Sequence, residues 1–167
     1  MITIRAITIK NPFGPPMVTG VKNYETGRNW RTQKGVCLIH AGKAKVDNQS
    51  YKIMQRPDVQ DAMGPFYPMG YHPEGLHYGA IIGAVNFAPA IPLKQVQGVT
   101  ELESALGYFH RGKWVWPVNA CGRFEQPIPA SGQLGIWSTQ VPTEAAFISP
   151  DGAKQTFYDW LKQQGEV

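Results

Sequence analysis

Residues 20–40 read GVKNYETGRNWRTQKGVCLIH and place two different kinds of sequence side by side. The first half is dense in charged and aromatic side chains: Lys22, Tyr24, Glu25, Arg28, Trp30 and Arg31. The second half, from Gly35 to His40, is an apolar run that predicts a buried strand. We therefore expect a polar site that leads directly into the core.

The spacing of the charges predicts a local cluster. In an extended segment alternate side chains share a face, so Lys22 and Glu25 should point to opposite faces. Gly27 interrupts this alternation and predicts a β-bulge, which would turn Arg28 toward the face of Glu25. The alternative is a solvated strand with cross-strand salt bridges.

The motif resembles a known signature. Gly20, Lys22, Glu25, Arg28 and Trp30, followed by Gly35 and by Ile-His-Ala-Gly-Lys at 39–43, are similar to the pattern of the ASCH domain, a branch of the PUA-like β-barrels. One difference is that two residues, Thr26-Gly27, separate the glutamate from the arginine, where the family pattern usually has one.

Four further segments resemble landmarks of the same family, in the same order. They are an opening strand with a Pro-aromatic step at 7–13, a glycine-flanked central strand at 79–85, and two closing strands at 114–119 and 132–137. The resemblance covers residues 4–138 and implies a PUA-like barrel.

Composition favours the same fold class. The 167 residues include 18 Gly and 14 Pro between short β-type runs, which is typical of barrels and sandwiches. We predict a mainly β (α+β) PUA-like barrel over residues 1–142 with short peripheral helices. Residues 143–167 are predicted to form a C-terminal helical extension packed on that domain.

Individual elements follow from periodicity and punctuation. Strands are predicted at 2–9, 36–40, 80–87, 114–120 and 135–139, and short helices at 15–19 and 100–106. Residues 45–54 are expected to continue the sheet or to form a loop. Residues 57–79 are predicted to be a long loop whose aromatic residues either cover a site as a flap or pack as a satellite core.

A C-terminal helix is predicted from Ser149-Pro150-Asp151 to about Gln164, with Phe157, Trp160 and Leu161 on its apolar face.

The positive charge is concentrated in one segment. Residues 22–56 contain eight Lys or Arg and two acids, a net charge of +6, whereas the whole chain carries +4 and the remainder therefore about −2. Such a segment is expected to bind a polyanion, or to be an ordinary lysine-rich surface. His110, Arg111 and Lys113 extend a second basic stretch.

The sequence gives no indication of a cofactor or a metal. His72, Glu74 and His77 fit no common zinc spacing, and Cys37 and Cys121 are predicted to be buried thiols. No apolar run is long enough to cross a membrane and the N-terminus lacks a signal-peptide core, so a cytoplasmic protein is expected. The oligomeric state is open.

The resemblance implies a function. In the family, the cleft beside this motif is thought to hold RNA or a nucleoside, and a few members are hydrolases that cut RNA or remove an acetyl group from a modified cytidine. The amidohydrolase subgroup has threonine three residues after its lysine, where this chain has Glu25.

We therefore expect a protein that binds RNA or another single-stranded nucleic acid, or a modified nucleotide within it. The predicted contact residues are Lys22, Tyr24, Glu25, Arg28, Arg31 and Lys43. The first alternative is a hydrolase, a ribonuclease or nucleoside amidohydrolase, with Lys22 and Glu25 as catalytic residues. The second is a protein-interaction module that uses the C-terminal helix.

Overall fold

The computed structural model describes residues 1–31 and 34–167. The strands are β1 (Ile2–Ile9), β2 (Tyr24–Arg28), β3 (Gly35–Ala41), β4 (Ala80–Phe87), β5 (Ile91–Pro92), β6 (Trp114–Pro129), β7 (Ile136–Val141), β8 (Ala146–Ile148) and β9 (Lys154–Thr156). The helices are α1 (Gly14–Val18), α2 (Asn48–Met54), α3 (Pro57–Met63), α4 (Glu101–Ala105) and α5 (Phe157–Gln163), with 3-10 turns at Pro73–Gly75 and Leu93–Gln95. The chain is thus mainly β, with short helices, as predicted.

The strands form one mixed sheet in the order β7-β1-β3-β4-β6-β8-β9. β1 and β3 are parallel, and the other pairs are antiparallel. Among the described residues β7 and β9 lie at the two ends of this path and do not pair with each other. β4 lies between β3 and β6, which fits its nearly complete burial.

Strand β6 connects the core to the charged segment. Its first residues pair with β2 and β5, where Glu25 lies opposite Trp116. Its later residues pair with β4 and β8, where Cys121 lies opposite Val85. The strand that carries Glu25 is therefore fixed to the same long strand as the centre of the sheet.

Alternate residues of β3 enter two different apolar clusters, as expected for a strand covered on both faces. Cys37 and Ile39 pack in one cluster with Met17 of α1. Leu38 packs in the other with Trp160 of α5. A third cluster holds α2 and α3 against the body, and it contains Met54, Val59, Met63, Tyr71, Leu76 and Leu106.

Several predicted elements are confirmed. The strands at 2–9, 36–40 and 80–87 are present, and the helix at 15–19 is α1. Helix α4 begins as its capping pattern predicts, since Thr100 Oγ1 accepts a hydrogen bond from the Glu103 amide at 3.1 Å. The strand predicted at 114–120 continues to Pro129.

The prediction for residues 45–54 is wrong, because most of this stretch forms helix α2. Asp47 caps the helix by accepting a hydrogen bond from the Ser50 amide at 2.7 Å. Ser50 and Met54, four residues apart, form the buried side of the helix. This spacing was the signal in the sequence.

The long loop predicted at 57–79 is also partly wrong, since residues 57–63 form α3. Pro57 lies in the first turn of the helix, where its missing N–H costs nothing. Val59, Met63 and Tyr71 are fully buried, and the Tyr71 hydroxyl donates to the Pro12 carbonyl. The segment therefore forms a satellite core, the second of the two alternatives.

The C-terminal helix begins later than predicted. Ser149-Pro150-Asp151 makes a turn, in which Asp151 Oδ1 accepts from the Ala153 amide at 3.0 Å and the Ser149 amide donates to the Ala153 carbonyl at 2.9 Å. This turn joins β8 to β9. Thr156 is the actual cap of α5, and its Oγ1 accepts from the Asp159 amide at 3.0 Å.

Two further findings concern the cysteines and the helices. Cys37 and Cys121 are buried free thiols, as predicted. Of the helices in the described part of the chain, none has the length and apolar character needed to cross a membrane.

Candidate functional site

The bulge predicted at Gly27 is present in β2. Glu25 pairs with Trp116 and Arg28 pairs with Trp114, so three steps along β2 match two along β6. Gly27 has φ +74°, a conformation that glycine adopts without strain. The bulge therefore takes up one residue of β2, and Arg28 returns to the side of Glu25.

Arg28 and Glu25 form a two-point ion pair. The Nε and Nη2 atoms of Arg28 donate to Glu25 Oε2 at 3.2 and 2.6 Å. Glu25 Oε1 accepts from the Thr26 amide at 3.0 Å. The Arg28 guanidinium carbon also lies 5.2 Å from the centre of the Trp116 ring. The carboxylate and the guanidinium are thus held in one orientation.

Lys22 lies just before β2 and is 1% exposed. Its ammonium donates to the Tyr24 carbonyl, and its amide donates to the Pro16 carbonyl at 2.9 Å. Burial lowers the pKa of Lys22, whereas the negative charges of Glu25 and Glu103 raise it and so oppose the effect. Lys22 therefore combines a buried position with two carboxylates that favour its charged form.

Glu103 is the second carboxylate and comes from α4. Its Oε1 accepts from the Asn23 amide at 2.7 Å, and its Oε2 is buried without a hydrogen-bond partner among the described residues. Burial raises the pKa of Glu103, while the Asn23 amide and the charge of Lys22 lower it. Glu103 joins α4 to the start of β2 beside Lys22.

The charged groups other than Glu103 line a cleft of about 350 Å³. Lys22, Glu25 and Arg28 share it with Thr8 and Lys10 of the β1 segment and with the stretch 106–111. At that last stretch the Arg111 guanidinium carbon lies 4.0 Å from the centre of the Tyr108 ring. The cleft thus combines several cations with an aromatic surface.

The structure separates the predicted contact residues into three groups. Lys22, Glu25 and Arg28 line this first cleft. Lys43 lines a second cavity that adjoins it, and Arg28 takes part in both. Tyr24 and Arg31 lie outside the described lining of the two cavities, where their partners are the rings of Phe109 and Trp114.

Trp30, His40 and the segment 57–79 are not in the described lining of the first cleft. Trp30 is 40% exposed, and its ring and that of Trp116 meet edge to face. The cleft is flanked by residues 106–111 and not by 57–79, whose side chains line a different groove. His40 has a structural role, since its ring nitrogens lie 3.2 Å from Thr8 Oγ1 and 2.7 Å from the Ala130 carbonyl.

Sequence reasoning missed four contributors to this region: Thr8, Lys10, Glu103 and Tyr108. Thr8 and Lys10 look like ordinary strand residues, and only the fold brings the end of β1 beside residues 22–28 and 106–111. Glu103 lies in the predicted helix at 100–106, and no local pattern in the sequence links it to residues 22–28. The sequence did indicate this side of the cleft, because Arg111 belongs to the second basic stretch.

The arrangement suits an anionic, planar ligand. Lys10, Arg28 and Arg111 can bind phosphate oxygens, and the buried Lys22 adds positive charge behind them. Glu25 can accept from a base amino group with the lone pairs that its present bonds leave. The Tyr108–Arg111 pair offers a stacking surface. Among the described residues no group of His, Cys, Asp and Glu has the geometry of a metal site.

Comparison of the sequence with protein-family models and with curated proteins yields no match.

Proposed function

We propose that this chain is a PUA-like protein of the ASCH type that binds RNA, or a modified nucleotide within it, in the cleft of Lys22, Glu25 and Arg28. The observation that carries the proposal is the Gly27 bulge, which joins Arg28 to Glu25 beside the buried Lys22. A bulge next to a cluster of buried charge is a common feature of functional sites.

The barrel is part of this proposal. It is supported by β6, which spans 16 residues and pairs with β2 and β5 at one end and with β4 and β8 at the other. A strand that pairs with different strands at its two ends must bend, and such bends allow a sheet to curl into a barrel.

Each cleft residue has a role in the proposed complex. Arg28 and Lys10 bind the phosphate, since both side chains line the cleft and are partly exposed. Lys22 supplies positive charge from the floor, and Glu25 accepts from a base N–H group. Tyr108 stacks on the base, with Arg111 already placed over its ring.

The test is a gel-shift titration with single-stranded RNA and matched DNA at low salt, in the presence of a chelator. We expect RNA to shift and Arg28→Gln to weaken the shift about tenfold or more, as for loss of a charge-assisted contact. Lys154→Ala is the matched control, because Lys154 pairs with Glu125 on β6 outside both cavities. Absence of any shift, or equal loss in the control, would overturn the proposal.

One observation favours a hydrolase as the second candidate. Burial lowers the pKa of Lys22, and a desolvated amine beside a carboxylate can act as a base or a nucleophile. If the cleft is catalytic, products accumulate in the same gel and disappear in Lys22→Met and in Glu25→Gln, while binding by Glu25→Gln persists. If the RNA stays intact at every enzyme concentration, the hydrolase is excluded for generic strands.

A further inference from the structure

The cleft continues into a second cavity. This cavity measures about 540 Å³ and shares Thr8, Lys10 and Arg28 with the first. Its remaining wall consists of Asn11, His40, residues 42–44 and the loop 131–135. The two spaces are therefore parts of one groove, with Arg28 and Lys10 at their common wall.

Each part of the groove alone has the size of a small-molecule site, for which about 300–1,000 Å³ is typical. A free nucleoside would fill one part and leave the other to solvent. A strand with two successive nucleotides would place one in each part, and its linking phosphate would lie at the common wall.

The charges agree with that placement. The bonds to Glu25 use two of the five N–H donors of Arg28, which leaves others for a second anion. Lys10 pairs with Asp47, but both side chains are about half exposed, so the lysine can reorient. Lys43 adds an exposed cation to the lining of the second cavity, outside the part shared with the first.

The loop 131–135, which forms another part of the wall of the second cavity, is held in place by close contacts. A Cβ atom at Gly132 would lie 2.6 Å from Thr8 Oγ1 and 2.7 Å from His40 Cε1, so the loop backbone lies directly on these two side chains. Thr8 Oγ1 also donates to the Gln133 carbonyl at 3.4 Å. Leu134, beside it, is 99% exposed and presents an apolar surface at the rim of the cavity.

Asn11 adds a polar group suited to a base. Its Nδ2 donates to the His77 carbonyl at 3.0 Å, whereas its Oδ1 is buried without a hydrogen-bond partner among the described residues. A buried acceptor of this kind is costly unless it is paired, and Asn11 belongs to the lining of the second cavity, so this unpaired oxygen lies beside the space assigned to the second base.

We infer that the ligand is an oligonucleotide strand of two or more nucleotides, not a free nucleoside, and that its two bases occupy the adjoining cavities with Arg28 between them. This inference rests on the proposed function, since it assumes that the first cleft binds a nucleotide. It assigns Lys43 and the loop 131–135 to the second nucleotide.

The test is a calorimetric comparison of ribonucleotides of one, two and six residues, each with a 5′-phosphate, at low salt. We expect affinity to rise about tenfold or more from one residue to two. Lys43→Ala should lower affinity for the dinucleotide at least about fivefold and leave the mononucleotide unchanged. Lys52→Ala is the matched control, since it removes an equal charge from an exposed position on α2 in the same basic segment.

The outcomes separate the two proposals. If one and two residues bind equally well, or if Lys43→Ala behaves like Lys52→Ala, the two-nucleotide groove is wrong while binding in the first cleft stands. If none of the three ligands binds, the proposed function fails and the groove fails with it.

Discussion

The burial of Lys22 makes the stability of the protein depend on pH. Its pKa is lowered chiefly by desolvation, so the folded protein holds the proton less tightly than the unfolded chain does. Between the folded value and the ordinary value of 10.5 the unfolded state binds more protons, and stability therefore rises with pH.

This predicts a pH-dependent difference between wild type and Lys22→Met. The free energy of unfolding of the wild type minus that of the variant should increase from pH 7 to pH 10, because the variant lacks the group that titrates. Urea unfolding at several pH values measures it. Burial raises the pKa of Cys37 to about 12 and that of Cys121 to about 11, but both thiols are present in both proteins and their effects cancel. A difference that stays flat with pH would contradict the prediction.

Glu103 allows a test of how the charge of Lys22 is maintained. Its pKa is raised, so its ionised form opposes folding, and this penalty grows as pH rises through the interval between the ordinary and the raised value. Glu103→Gln keeps an oxygen for the Asn23 amide and removes the charge. We expect the variant to be more stable than wild type at pH 7, where Glu103 is ionised in the unfolded chain, and not at pH 4.

The same substitution should weaken RNA binding. Without the charge of Glu103 the pKa of Lys22 falls further, so binding should be lost at a lower pH than in wild type. RNA affinity measured from pH 6 to pH 9 for both proteins checks this. Equal pH profiles would show that Glu103 only anchors α4.

At the scale of elements, the Gly27 bulge is supported from the neighbouring turn. A Cβ atom at Gly112 would lie 2.7 Å from the Gly27 carbonyl carbon and 2.8 Å from the Arg28 amide nitrogen. The Lys113 amide also donates to the Arg28 carbonyl at 2.7 Å. The turn at Gly112 therefore fixes where Arg28 lies.

We predict that Gly112→Ala destabilises the fold and moves Arg28. Gly98→Ala is the control, because Gly98 has a similar φ of +69° but nothing within 4 Å of its Cβ position. The positive φ should cost about 1–2 kcal/mol in both, and the clash at Gly112 should add about 1–3 kcal/mol. Thermal unfolding and RNA affinity together measure it, and equal losses in the two variants would show that the contact has no effect.

The bulge shows how far sequence reasoning extends. The bulge was predictable because a glycine that interrupts the alternation of a strand indicates one. The bulge in turn places Arg28 beside Glu25. Lys10 and Glu103 were not predictable, because both depend on contacts between residues distant in the chain: Lys10 lines the cleft, and Glu103 accepts from the Asn23 amide beside Lys22. Helix α2 was missed although Asp47 and Ser50 carry its capping signal.

At the scale of the molecule, residues 143–167 complete the sheet and the core. β8 pairs with β6 and β9 pairs with β8. Phe147, Phe157 and Trp160 pack on one another and on Phe124 of β6, with ring centres 4.9–5.9 Å apart. The apolar side of α5 is thus covered by the protein itself and is not displayed to a partner.

This predicts different effects for two neighbouring aromatic residues of α5. Trp160 is 2% exposed, so Trp160→Ala should cost about 3–5 kcal/mol, a large part of the 5–15 kcal/mol typical of a domain. Tyr158 is 43% exposed with Lys162 over its ring, so Tyr158→Ala should cost about 1 kcal/mol or less. Urea unfolding distinguishes the two.

Removal of residues 143–167 should have the larger effect of abolishing cooperative unfolding altogether, because it uncovers Phe124 and the edge of β6. A truncated chain that still unfolds cooperatively and binds RNA would show instead that the segment is a separable appendage. In that case the apolar side of α5 would be free to pack on a protein partner. A protein-interaction module would then explain α5 better than a role in the RNA-binding fold. Trp160→Ala and the truncation disturb the same ring cluster. If both lower the free energy of unfolding, the sheet and α5 form one folding unit.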